Sequence, residues 1–141
     1  MNGIPATPSP VNEPIFSYAP GSPERDELRS ELTRQTEQVV DIPLIIGGKE
    51  VRTGNTIDVV MPHNHGHVLA KAHMAGPNEV RHAIEEANKV HSEWSMMSWE
   101  DRVAVFLKVA DLLAGPRRAK LNAATMLGQS KNAYQAEIDS A

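Results

Sequence analysis

Six prolines crowd the first 23 residues: Pro5, Pro8, Pro10, Pro14, Pro20 and Pro23. Proline fixes φ and carries no N–H, so neither a regular helix nor a central strand can run through such a stretch. Residues 1–23 therefore read as an extended arm, free or laid against a neighbour, with Ile15, Phe16 and Tyr18 as its apolar anchors. Pro23 suits the first position of a helix, where its missing N–H would have no partner anyway. Glu24, Asp26 and Glu27 follow and favour the positive end of a helix dipole. The pattern predicts a polar, exposed helix from Glu24 to about Glu37, with Leu28 and Leu32 on one side. Residues 24–41 form that helix and a linker, and residues 42–141 form the main folded part.

The chain has 141 residues, enough for one domain with a core. Aromatic content is 4% against 40% hydrophobic, which favours helices packed through Ala, Val and Leu. A net charge of -4 argues against a nucleic-acid partner. There is no cysteine, so a disulfide, a thiolate zinc site and a cysteine nucleophile are all excluded within this chain. No apolar run approaches the roughly 18 residues of a membrane span, and no membrane partner is expected. Met1 to Glu24 lacks both the basic start and the apolar run of a secretory leader. The first basic residue is Arg25, unlike an arginine-rich presequence. The expected compartment is the cytoplasm.

After Pro43, the run Leu44-Ile45-Ile46, the turn signal Gly47-Gly48 and the return Lys49-Glu50-Val51-Arg52 suggest a hairpin. Ile57, Val59 and Met61 alternate with Thr56, Asp58 and Val60, as in a half-buried strand. Pro62 to Gly66 reads as a turn and Val68 to Met74 as another strand, completing a β meander. Packed helices follow, giving an α+β piece. Gly76-Pro77 opens a helix striped by Val80, Ile84, Ala87, Val90 and Trp94. Ser98-Trp99-Glu100-Asp101 resembles a capping box ahead of Val103, Phe106, Leu107, Ala110 and Leu113. Gly115-Pro116 predicts a left-handed cap followed by a breaker. Further helix is expected from about Arg117 to Leu127. A last helix places Tyr134, Ile138 and Ala141 on one face, with Ser130 as its cap and with no stop signal of its own. Its pattern predicts an element cut short, hence a piece of a longer chain.

Few residues point to chemistry by themselves. His63, His65 and His67 alternate, and imidazoles at that spacing can ligate a metal. The intervening Asn64 and Gly66 have turn chemistry and no carboxylate or Cys completes a shell, so no metal site is expected. Gly47-Gly48-Lys49 fails as a phosphate loop: Pro43 stands where the first Gly is needed, and Glu50 where Ser or Thr is needed. Ser130-Lys131 makes no nucleophile case, because no His or carboxylate partner can be placed from sequence. His73, His82 and His91 read as surface or packing residues. Trp94, Met96, Met97 and Trp99 read as packing at a helix junction.

In combination the motifs say more. Leu44-Ile45-Ile46-Gly47-Gly48-Lys49-Glu50-Val51 resembles the first hairpin of the aldehyde dehydrogenase superfamily. Met61 to Ala70, Trp99-Glu100-Asp101-Arg102, Phe106-Leu107-Lys108, Ala110 to Pro116, Gly128-Gln129-Ser130-Lys131 and Tyr134 to Asp139 are similar to the branch that oxidises glutamate γ-semialdehyde. The resemblance runs in order from about Asn12 to Ala141. It implies an α/β parent fold with a Rossmann-like cofactor domain, NAD as cofactor, a homo-oligomer and a role in proline degradation that yields glutamate. It implies a cysteine thiolate that attacks the aldehyde, hydride transfer to NAD and release by a glutamate-activated water. None of those catalytic residues, and no Gly-rich cofactor loop, falls in this sequence, so the chain alone is expected to be inactive. One site residue carries over: Glu137, of the Gln-Ala-Glu-Ile-Asp block, which the resemblance places against the substrate's amino group. A carboxylate is a natural partner for an ammonium. By spacing alone Glu137 reads as an ordinary solvated helix glutamate. The alternative function is a small, non-catalytic helical interaction module using the arm and the Trp94–Trp99 junction.

Overall fold

The computed structural model describes residues 6–140. An extended arm leads into helix α1 (Pro23–Glu37), then short strands β1 (Val40–Ile42), β2 (Leu44–Ile46), β3 (Lys49–Val51), β4 (Thr56–Met61) and β5 (Asn64–His73). Helices α2 (Pro77–Met96), α3 (Trp99–Ala114), α4 (Arg118–Gln129) and α5 (Ala133–Ser140) complete the chain. The expected order of arm, helix, strands and helices is present.

The strands do not form one meander. β2 and β3 pair only with each other, as an antiparallel hairpin with Leu44 opposite Val51. Its turn has Gly47 at φ 57° and Gly48 at φ 74°, a two-residue connection that needs positive φ at both positions. A second, three-stranded sheet has the order β1-β5-β4. In it β4 and β5 are antiparallel, whereas β1 lies parallel to β5 with Val40 opposite Ala70. β1 comes from the stretch read as a linker: a parallel partner thirty residues away leaves no local pattern to recognise. The turn between β4 and β5 is also tighter than expected. Met61 pairs with Asn64, so Pro62-His63 alone reverses the chain, and Asn64, His65 and Gly66 belong to β5 despite their turn chemistry.

Three caps can be compared with the sequence pattern. The Ser98 hydroxyl accepts the Asp101 N–H at 3.2 Å, as a helix start of this kind requires. Gly115 ends α3 at φ -103°, not in the left-handed region; its N–H still reaches the Asp111 carbonyl at 3.1 Å. Ser130 does not cap α5. It ends α4 at φ 55°, and the α5 cap is Asn132, whose side chain accepts the Gln135 N–H at 2.9 Å while Gln135 returns the bond to the Asn132 N–H at 3.1 Å. Asn and Gln satisfy two orphan donors at once there, which a lone Ser two residues earlier cannot.

The main core joins the arm to α1 and α4: Tyr18, Leu28 and Ala123 are buried, with Leu32, Met126 and Ala133 against them. Ile46, Met61, Ala70, Leu127 and Ala136 are buried elsewhere. By contrast, neither α2 nor α3 buries a single residue. Their stripes, Val80, Ile84, Val90 and Trp94 on α2 and Phe106 and Leu113 on α3, all face solvent. On α5 the inward positions are Ala136 and Glu137, while Tyr134 and Ile138 point outward; Ala141 lies outside the described residues. Among the described residues no helix is long and apolar enough to cross a membrane.

Stability should therefore reside in the α1–α4 layer. Leu28→Ala should cost about 2–5 kcal/mol, the range for deleting a buried leucine side chain. Phe106→Ala should change stability by about 0.5 kcal/mol or less, as at an uncovered position. Urea unfolding of the two variants followed by circular dichroism distinguishes them.

Candidate functional site at the arm and the last two helices

Glu137 is the largest fully buried side chain of the structure, at 0% exposure, and Asn122 is the next. A short α5 presents the glutamate inward beside Ala136, toward α4. There Arg118 and Asn122 stand four residues apart on one helical face. Arg118 is itself buried.

The arm completes the arrangement. One Glu137 oxygen, Oε1, accepts the Phe16 backbone N–H at 2.7 Å and a bond from Arg118 Nη2. The other, Oε2, accepts the Tyr18 hydroxyl at 2.6 Å, Asn122 Nδ2 at 2.7 Å and Arg118 Nε at 3.3 Å. Asn122 Nδ2 also donates to the Tyr18 hydroxyl at 2.7 Å. Arg118 Nη2 reaches on to the Pro14 carbonyl, and the guanidinium carbon lies 4.0 Å from the centre of the Phe16 ring. Phe16 and Tyr18 meet edge to face at 6.4 Å. Arg25 Nη1 holds the Tyr18 carbonyl at 3.1 Å.

Burial opposes ionisation of Glu137, yet the Arg118 guanidinium, the Phe16 N–H, Tyr18 and Asn122 outweigh it and hold its carboxyl below the ordinary glutamate range. Burial, reinforced by the bond to Glu137, pushes the Tyr18 phenol up to about 12. A carboxylate offers about four lone-pair sites, and those of Glu137 are filled by donors from the chain itself. An ammonium ligand would have to displace the Phe16 N–H or the Tyr18 hydroxyl to reach it.

The other residues singled out by sequence do not join this cluster. His63 Nδ1 is 2.8 Å from the Ser130 hydroxyl, a partnership across 67 residues that no local pattern announces. His67 Nε2 lies 2.9 Å from the Thr36 carbonyl, and His65 is exposed. His73 links Asp41, at 3.1 Å, to the Gly54 N–H, at 3.1 Å. His82 lies 3.5 Å from Glu86. Among the described residues no group of three or more His, Cys, Asp or Glu is placed to hold a metal. Gly47-Gly48 turns directly into β3, and the N–H of Gly76 at the start of α2 is taken by the Glu79 carboxylate at 2.8 Å. Neither forms a phosphate cradle. Arg118, Asn122 and Tyr18 were missed as partners of Glu137; the i, i+4 pairing of Arg118 with Asn122 beside the apolar Ala123 was the available signal.

The two titrating groups set opposite limits on stability. The folded Glu137 carboxyl is more acidic than the unfolded one, so its contribution is complete above the ordinary value of 4.5 and falls away as pH drops through the folded value. Tyr18 is less acidic when folded, so its contribution is complete below 10 and is lost as pH rises toward 12. Thermal unfolding across pH should show both limbs, and Tyr18→Phe should remove the alkaline one. Glu137→Ala, which strands Arg118, should cost about 3–5 kcal/mol, as expected for breaking a buried pair.

Comparison with known proteins places this geometry. Residues 50–141 match the model of the aldehyde dehydrogenase family. A delta-1-pyrroline-5-carboxylate dehydrogenase from Agaricus bisporus is 49% identical over 135 residues, covering 95% of this chain and 25% of its own length. The mitochondrial enzyme of that name from Rattus norvegicus is 45% identical over 131 residues, 93% of this chain and 23% of its own. The crystal structure of a delta-pyrroline-5-carboxylate dehydrogenase from Mycobacterium tuberculosis bound with NAD superposes with a TM-score of 0.93 at 47% identity, covering 98% of this chain and 26% of that one. The chain thus spans about a quarter of the length of the relatives it matches. It belongs to the aldehyde dehydrogenase family.

Proposed function

We propose that this chain is the N-terminal part of an NAD-dependent 1-pyrroline-5-carboxylate dehydrogenase. The whole enzyme would oxidise glutamate γ-semialdehyde to glutamate in proline degradation. The observation that carries this reading is likeness along nearly the entire chain, in the arm and strands as well as the helices, to proteins of that name. The overall reaction converts an aldehyde and water to a carboxylic acid, with a hydride leaving for NAD. The covalent route needs a thiolate, and this sequence has no cysteine.

The residues described here hold no cradle for a dinucleotide, so we assign NAD binding to the remainder of the enzyme and place no chemical step on this chain. The proposed contribution of residues 6–140 is scaffolding: α4, α5 and the arm are fixed to one another through Glu137. Contact between Glu137 and the substrate ammonium is the second reading, supported by the resemblance and by the ionised state of the carboxylate; it requires a bond from the arm to yield. We further propose a homo-oligomer for the whole enzyme and a cytoplasmic setting for this one, although the rat relative is named as mitochondrial.

The 141-residue chain, given NAD and fresh pyrroline-5-carboxylate, should reduce no NAD above the enzyme-free blank; turnover would refute the scaffolding role. In a whole enzyme carrying this segment, Glu137→Gln should raise KM for the substrate more than KM for NAD if the ammonium contact forms. Equal changes assign the residue to the fold alone.

A further inference from the structure

Sequence alone places no base beside Ser130, but the fold does. His63 stands in the two-residue reversal between β4 and β5, and its Nδ1 lies 2.8 Å from the Ser130 hydroxyl at the end of α4. With the ring proton on Nε2, Nδ1 accepts the Ser130 O–H, which is the arrangement that lets an imidazole take a proton as a hydroxyl attacks. The neighbouring amine, Lys131 Nζ, is engaged by the Asp139 carboxylate, which leaves His63 as the base of the pair. Ser130 sits at φ 55°. Glycine or asparagine is the ordinary occupant of that left-handed position at a helix end, because a larger side chain there costs energy. A serine in its place presents a hydroxyl on a sharp turn, as nucleophilic serines are presented in other folds. The Lys131 N–H, next along the chain, has no hydrogen-bond partner among the described residues. The N–H after a nucleophile is a common donor to the oxyanion of acyl transfer. Ser130 and His63 are both exposed, so a reagent reaches them from solvent. Beside them opens a cavity of about 320 Å³ lined by Leu32, Met126, Leu127 and Lys131, whose apolar wall suits a short acyl chain.

We propose that Ser130 and His63 form a second chemical site, which takes the acyl group of a short-chain carboxylic ester. It is separate from the dehydrogenase reaction, in which this chain takes no step. The Ser130 oxygen bonds to the ester carbonyl carbon as its proton passes to His63 Nδ1. The bond from that carbon to the alkoxy oxygen then breaks, the alcohol leaves with the proton, and an ester remains on Ser130. Water attacks the same carbon, gives a proton to His63, and the proton returns to the departing Ser130 oxygen as the carboxylic acid is released. Among the described residues no carboxylate bonds His63 Nε2. Without that support the imidazole is a slow base, so the acylated serine is the species that accumulates.

The full chain, mixed with p-nitrophenyl acetate at neutral pH, should release a burst of p-nitrophenolate and gain an acetyl group that peptide mass spectrometry locates on Ser130. Ser130→Gly, which the left-handed backbone accommodates, should remove the burst. His63→Asn keeps a hydrogen-bonding group beside Ser130 but takes no proton. It should slow acetylation of Ser130 about a hundredfold, the scale of a general-base contribution. Acetylation of Ser130 at an unchanged rate in His63→Asn would reduce the contact to a tie between turn and helix end and overturn the proposal. Acetyl groups found only on lysines or the amino terminus would overturn it as well. Should His63→Asn lack cooperative unfolding, the unaltered chain decides the matter. A fluorophosphonate probe, which reacts with activated serines and spares ordinary hydroxyls, should label Ser130, and an unlabelled Ser130 refutes the site.

Discussion

A single carboxylate organises this structure. Glu137 is wholly buried, and an isolated carboxylate in that position would be prohibitively costly. It is tolerated because two separate segments converge on it: the arm through Phe16 and Tyr18, and α4 through Arg118 and Asn122. Buried ion pairs are seldom large net contributors to stability, since desolvation consumes most of the Coulomb gain. What this one provides is register. A shift of the arm by one residue would present a carbonyl to the carboxylate and an N–H to the guanidinium, reversing both bonds. The apolar packing of Tyr18 on Leu28 and Ala123 has no such selectivity by itself.

The rest of the molecule divides according to how completely its apolar surface is covered. The arm, α1, α4 and α5 enclose a core; α2 and α3 display aliphatic and aromatic stripes to water. Soluble domains rarely leave contiguous faces of this kind uncovered. The family relationship gives a physical context, because the chain spans only about a quarter of its relatives. The hairpin turn adds one local contact to α2: Gly47 lies so close to the Glu86 side chain that an added Cβ would come within 2.7 Å of its Oε2. A side chain at that turn would oblige the Glu86 carboxylate to move aside, and the positive φ would strain it.

Much of this was legible from residue order. Prolines marked the arm, Pro23 and its acidic neighbours marked the start of α1, and Ser98 and Gly76-Pro77 marked two helix starts. Each of these signals acts over four residues or fewer, so sequence exposes it directly. What escaped depends on partners far along the chain. β1 exists because β5 offers it a parallel edge, and His63 finds Ser130 across 67 residues. Gly115 looked like a left-handed cap, yet the chain leaves α3 at negative φ because Arg117 bonds back to the Leu112 carbonyl at 2.9 Å. The resemblance points to Glu137 through a substrate's ammonium; within this chain its cationic partner is Arg118, 19 residues away.

The bond between Phe16 and Glu137 closes a span of 121 residues. During synthesis the arm leaves the ribosome before its receptor, which follows 121 residues later. Until then an extended, proline-stiffened segment must wait without its docking surface, while the intervening strands and helices form ahead of it. The arm is consequently fixed in place after the elements that lie between it and Glu137. Whatever guards a nascent aldehyde dehydrogenase from aggregation must act while Leu28 and Ala123 still lack the tyrosine that later covers them.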